Sequence, residues 1–164
     1  MKPEKLFWLG LTLAALNASA QVVITDPDWK ETQVPPPPSF STNRLISIEM
    51  PKYVSLRLGV DPETFTISPD GIVRYVVVAS NMTGSISAMY EGIRCASGEV
   101  QTYARYTSSG QWSSVPDPQW RGLNDKLPSR HALALAKQGV CEGRTAAASV
   151  AAIVNALRYP KPNY

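Results

Sequence analysis

Two cysteines, Cys95 and Cys141, and a single histidine, His131, are the residues of this chain with the sharpest nucleophilic and ligating chemistry. An even cysteine pair in a chain destined for an oxidising compartment favours one structural disulfide. The competing arrangement is a catalytic thiol at Cys95 with His131 as its base; the even count and the exported address described below both favour the bond. His131 stands beside Arg130 near an expected helix start, which suits a surface or capping role better than catalysis. One histidine and two bonded cysteines do not make a zinc or haem centre, so no metal and no cofactor is expected. The zinc-protease, nucleophile-elbow, phosphate-loop and dinucleotide motifs are absent from the sequence. Glu91 and Asp70 are the nearest carboxylate pair for glycoside hydrolysis. Asp70 lies in Pro69-Asp70-Gly71, however, where an aspartate bonds its own turn.

Strand geometry assembles a second set of residues. If Asn81–Gly84 closes the strands on either side in register, Arg74 faces Glu91. Through the turn Ala96–Gly98, Glu91 also faces Tyr103, and Arg105 faces Met89, diagonal to Glu91. Arg74, Glu91 and Arg105 then cluster on the face that carries Cys95. Two guanidiniums around one acid form either a carboxylate or phosphate receptor or a satisfied ion-pair network where helices meet the sheet; the second is preferred. Trp112 and Trp120 flank Pro116-Asp117-Pro118. With Tyr103 they make either an aromatic contact for sugar rings, prolines or a partner's side chains, or packing that anchors the loop. Packing is again preferred.

The elements that must position these residues change character along the chain. Short β-branched and aromatic runs between turn signals predict strands at Arg44 to Glu49, Ser55 to Val60, Thr64 to Ser68, Ile72 to Ser80, Ser85 to Cys95 and Glu99 to Thr107. Alanine-rich sequence follows. Ser129 reads as the cap of a helix carrying Leu133, Ala136 and Val140, and a second helix from Thr145 places Val150, Ile153, Val154 and Leu157 at helical spacing until Pro160. The fold class is α+β: an antiparallel meander followed by two C-terminal helices packed on the sheet and tied by one disulfide.

Upstream, Lys2 and Lys5, the apolar run Leu6 to Leu16 and the small residues Ala18-Ser19-Ala20 form a secretory signal over 1–20, cleaved before Gln21. The apolar run is shorter than the ~20 residues a membrane span needs, so no transmembrane segment is expected after cleavage. Residues 21–43 contain Pro35-Pro36-Pro37-Pro38 and read as a leader or spacer. A single domain over 44–160 and a tail over 161–164 complete the chain. The formal net charge of +3 comes from singly scattered basic residues, which excludes a nucleic-acid stripe.

Asp70-Gly71, Arg74-Tyr75, Glu91-Gly92-Ile93-Arg94-Cys95, Tyr103-Ala104, Trp112 and Trp120 together resemble the CNP-like family, the cryptic neisserial proteins. A fainter likeness in layout links the chain to surface adhesin E proteins. The first resemblance implies an exported bacterial protein and supplies no reaction. The expected function is therefore a periplasmic or secreted, non-enzymatic binding or structural module whose partner is an envelope protein or a cell-wall component. A small enzyme or accessory acting on cell-wall material is the alternative. Neither the partner nor the oligomeric state is readable from the sequence.

Overall fold

Apolar runs bounded by Pro, Gly and Asn turns form the strands β1 (Ile46–Ser47), β2 (Arg57–Val60), β3 (Thr66–Ile67), β4 (Ile72–Ser80), β5 (Ile86–Arg94), β6 (Glu99–Tyr106), β7 (Trp112–Ser114) and β8 (Arg121–Gly122). The computed structural model describes residues 27–160 except Tyr53 and Met82. The signal expected over 1–20, its cleavage point and the tail over 161–164 lie outside the described residues. The strands pair antiparallel in the order β1-β2-β4-β5-β6-β7, with β3 added to β4 and β8 to β6. Then come α1 (His131–Leu135), a widened turn over Ala136–Val140, the small hairpin β9 (Cys141–Glu142) and β10 (Thr145–Ala146), and α2 (Val150–Arg158).

The α+β meander with two C-terminal helices and a Cys95–Cys141 disulfide is thus the observed architecture. The bond takes both thiols out of nucleophilic chemistry, which corrects the Cys95–His131 alternative. Two helix starts also differ from the sequence reading. Thr145 pairs with Glu142 in a hairpin, so α2 begins only after Ser149, whose Oγ accepts from the Ala152 amide at 3.1 Å. Ser129 does not cap α1, because its hydroxyl is bound to the His131 ring instead.

The centre of the sheet is covered on both faces. Val73, Tyr75, Val77 and Ile93 pack against Leu135, Val140, Ile153 and Leu157 on the helix side. On the other side Val76, Val78, Ala88, Tyr90 and Tyr103 meet Val34 and Phe40, which arrive from the Pro-rich N-terminal segment. Every residue of β4 from Ile72 to Ala79 is buried, a pattern typical of a strand with no solvent face. The N-terminal segment is therefore not a stand-off spacer over its described length. Residues 27–44 form a strap lying against the sheet, because the apolar second face of β4 and β5 has to be shielded from water.

Register decides which side chains share a face. The β4–β5 connection runs over Asn81–Ser85, one residue longer than the sequence suggested, so Ser80 pairs with Ile86 and Tyr75, not Arg74, lies opposite Glu91. Asn81 sets that loop by accepting from the Thr83 and Ser85 amides, both at 3.0 Å. A bulge between Tyr90 and Glu91 in the β5–β6 pairing places Glu91 opposite Thr102 and Tyr90 opposite Ala104, leaving Tyr103 as the extra residue. Beyond the bulge Met89 pairs with Arg105, as the sequence register predicts.

Candidate functional site

The predicted cluster of Arg74, Glu91 and Arg105 does not form. A one-residue change of register moves every side chain of a strand to the opposite face, and here it sends Arg74 under the strap and Glu91 under the helices. Arg105 is exposed and donates to Met89 Sδ at 3.2 Å. Asp70 and Glu91, the candidate carboxylate pair, are likewise separated, since Asp70 is bonded to Arg74 on the strap side. Two distinct polar constellations result.

The first is enclosed between the sheet and α1. Glu91 Oε2 accepts from His131 Nε2 at 2.6 Å and from the Tyr75 hydroxyl at 3.1 Å, while Oε1 accepts from Thr102 Oγ1 at 3.1 Å. His131 Nδ1 lies 2.9 Å from Ser129 Oγ. The exposures of 5% for His131 and 2% for Glu91 replace the surface role expected for the histidine. Burial pulls the His131 pKa down, but the Glu91 charge and hydrogen bond outweigh it and hold the imidazole above its usual value. Burial pushes the Glu91 pKa up; the His131 charge and three hydrogen bonds bring it below the ordinary carboxylate range. Burial and the adjacent Glu91 raise the Tyr75 phenol. The pair is thus an imidazolium–carboxylate bridge with its donors and acceptors turned inward.

The second lies between the strap and the opposite face. Arg74, fully enclosed, donates through Nη1 to Ser68 Oγ at 2.6 Å and through Nη2 to Asp70 Oδ2 at 3.0 Å and Glu31 Oε1 at 2.9 Å. The Tyr103 hydroxyl donates to the same Glu31 oxygen at 2.5 Å, and Gln101 Nε2 reaches the other at 3.5 Å. Burial lowers the Arg74 pKa, but the hydrogen bonds to Asp70 and Glu31 and the charge of Asp70 outweigh it and leave it raised, so the guanidinium stays charged. Burial and the bond to Glu31 push the Tyr103 phenol far above its ordinary value. Burial raises the Asp70 pKa, yet bonds from Thr32, Arg74 and backbone amides leave it lowered. The Arg74 guanidinium also lies 5.6 Å from the centroid of the Tyr103 ring. This arrangement binds and orients carboxylates, and neither Arg74 nor Tyr103 has a proton to exchange at neutral pH.

Aromatic residues extend this second surface. Trp120 meets Trp29 edge-on at 6.1 Å and Tyr103 at 6.5 Å, and the Arg94 guanidinium sits 3.5 Å above the Trp29 ring. Trp112 packs with Phe40 and Tyr106 at 5.8 and 5.3 Å. The two predicted aromatic residues of the loop are therefore both half-buried and turned to the strap. Beside Trp112 a cleft of about 530 Å³ is lined by Pro37, Phe40, Ile86 and Tyr106. Another, of about 460 Å³, opens between Glu49–Pro51 and the α1 face with Arg130, Leu133 and Lys137. Neither Glu91 nor His131 lines these two clefts. Among the described residues no three His, Cys, Asp or Glu are placed to hold a metal ion, and no helix is long and apolar enough to cross a membrane.

Sequence reasoning missed Glu31 and Gln101. Trp29 and Glu31 carried an available signal, an aromatic and an acid two residues apart in a segment with little else to bury. Comparison with known proteins gives one family: the model of the CNP1-like family matches residues 24–158, so the matched region takes in both the strap and the helices. No curated protein and no solved structure matches the chain.

Proposed function

We infer that this chain, which belongs to the CNP1-like family, is an exported envelope protein that works as a non-enzymatic binding or structural module in the periplasm. The single observation that carries this reading is the closure of the Glu91–His131 pair. The groups best suited to acid–base work are spent on each other, with exposures of 2% and 5%, and a general acid or base must reach the proton it transfers. The Cys95–Cys141 bond supports an oxidising address, in keeping with the signal-like residues 1–20. The cleft beside Phe40, Ile86, Tyr106 and Trp112 offers aromatic contact area of the sort that anchors protein partners.

The test is a photo-crosslinking amino acid placed at Ile86 or Ser113 of the full chain, exported in its own cell. One discrete adduct from these sites, absent when the probe stands at exposed Lys126, is the expected outcome. Release of soluble fragments from purified cell wall, lost in Glu91→Gln while the fold is kept, would overturn the non-enzymatic reading.

A further inference from the structure

The strap holds to the sheet in the manner of a docked ligand. Among the described residues no backbone-to-backbone hydrogen bond joins residues 27–44 to the strands. Side chains make the attachment, and they alternate as in an extended peptide. Trp29 points in and donates from Nε1 to the Asp70 carbonyl at 2.9 Å beneath the Arg94 guanidinium. Lys30 points out. Glu31 points in, to Arg74, Tyr103 and Gln101. Thr32 then binds Asp70 Oδ2 through its amide at 3.1 Å and its hydroxyl at 2.6 Å.

The receiving side is built without help from the strap. Arg74 is fixed by Ser68 and Asp70, both in or beside the turn between β3 and β4, and Asp70 is fixed by the Ile72 amide at 3.1 Å. The bulge on β6 aims Tyr103 into the same place. Gly92 leaves the room for it: a Cβ there would stand 2.7 Å from the Tyr103 hydroxyl. Arg74 Nε and Arg94 Nε are buried without a hydrogen-bond partner among the described residues, so both guanidiniums keep donor capacity that this packing does not use. A guanidinium held ready at one end and an aromatic slot at the other are what an extended acidic peptide needs.

The geometry points to a peptide-binding site on this face, formed by Arg74, Tyr103, Gln101, Arg94, Trp120 and Asp70. It recognises an extended segment with a tryptophan and, two residues later, a glutamate. The chain's own Trp29–Thr32 is its tethered occupant, and a partner segment of the same chemistry binds by displacing it. This deepens the binding-module reading and rests on it. A strap held in cis acts as a competitor at roughly millimolar effective concentration, so the free site binds more tightly than the closed one.

The probe is a fluorescent peptide with the sequence of residues 27–34, titrated by anisotropy against the full chain with its disulfide formed. In the variant Trp29→Ala/Glu31→Ala, which empties the site, binding should tighten at least about tenfold over the unaltered chain. The same peptide with glutamine in place of its glutamate should bind about tenfold or more weakly, because charge-assisted bonds are lost. Equal binding of the two peptides by the emptied variant, or none at all, overturns the site. If that variant does not fold, the unaltered chain serves: millimolar peptide should speed exchange of the Thr32 amide, which the docked strap bonds to Asp70, and unchanged exchange overturns the proposal. Light scattering across a hundredfold range of chain concentration identifies a second copy of this chain as the partner when the dimer fraction grows with concentration. Failure of the peptide with a crosslink still formed at Ile86 would remove this site and leave the binding module standing.

Discussion

Replacing Glu91 with glutamine removes one charge from the seam between sheet and helices and leaves the shape nearly unchanged. Glu91 takes hydrogen bonds from His131, Tyr75 and Thr102, and breaking a buried pair costs about 3–5 kcal/mol. His131 can shed its proton when its partner is neutral, so the lower end applies, about 3 kcal/mol. For a chain of this size that lowers Tm by about 10 °C. The pH dependence carries the sharper signature. The His131 pKa is raised above 6.5, so its contribution is complete below that value and disappears as pH rises through the folded-state pKa. The Glu91 pKa is lowered below 4.5, so its contribution is present above that value and disappears as pH falls through the folded-state pKa. Stability from the bridge therefore peaks between these two limits. Thermal melts of both proteins from pH 3 to 9, followed by circular dichroism, should show the largest gap near pH 5.5 and a narrower one at pH 9. An unchanged Tm, or a gap that does not vary with pH, refutes the buried bridge.

Reducing the Cys95–Cys141 bond, whose partners are 46 positions apart, should cost about 4 kcal/mol in the chain-entropy account, measured as a drop in the urea midpoint between oxidised and reduced protein. Gly92→Ala should destabilise by about 2 kcal/mol, since its methyl would meet Tyr103 and Ile72 at 2.7 and 2.8 Å; tryptophan emission should shift red as Tyr103 is pushed from Glu31, and emission identical to the unaltered chain would contradict the contact. Gly139→Ala combines a φ of +125° with a Cβ that would run into that of Ala156, so a loss of about 3 kcal/mol is expected in denaturant unfolding. Asp61 is held below its usual carboxylate pKa: burial raises it, but the Arg44 bond and the Ser41 and Glu63 amides lower it further. Its stabilisation is present above pH 3.8 and lost as pH falls through the lowered pKa, so Asp61→Asn should reduce Tm at pH 7 and leave it nearly unchanged at the acid end of a pH series.

The six sequence-predicted strands, the two helices and the disulfide were legible because each rests on a local pattern: alternation, turn residues, helical spacing, an even cysteine count. The polar clusters rest on register, which a single residue in the Asn81–Ser85 loop changes. That residue separated Arg74 from Glu91 and gave Glu91 to a histidine 40 positions away. The bulge that redirects Tyr103 leaves no composition signal. The strap did leave one. The run from Ile72 to Ala79 is apolar on both alternating sets apart from Arg74, and a strand of that type needs cover on its second side. Only the N-terminal segment, with Trp29, Val34 and Phe40, was left to supply it.

The placement of the strap fixes an order of events in time. Trp29 and Glu31 leave the ribosome before any part of the surface they occupy, and the tyrosine that receives Glu31 follows 72 residues later. Contacts of such long sequence separation close slowly. The strap, although made first, cannot complete its contacts until β4, β5 and β6 have paired to build the surface that receives it. Until it docks, the row of Val76, Val78, Ala88 and Tyr90 is bare to water, and a newly made molecule is most open to protease, chaperone or wrong association along that row.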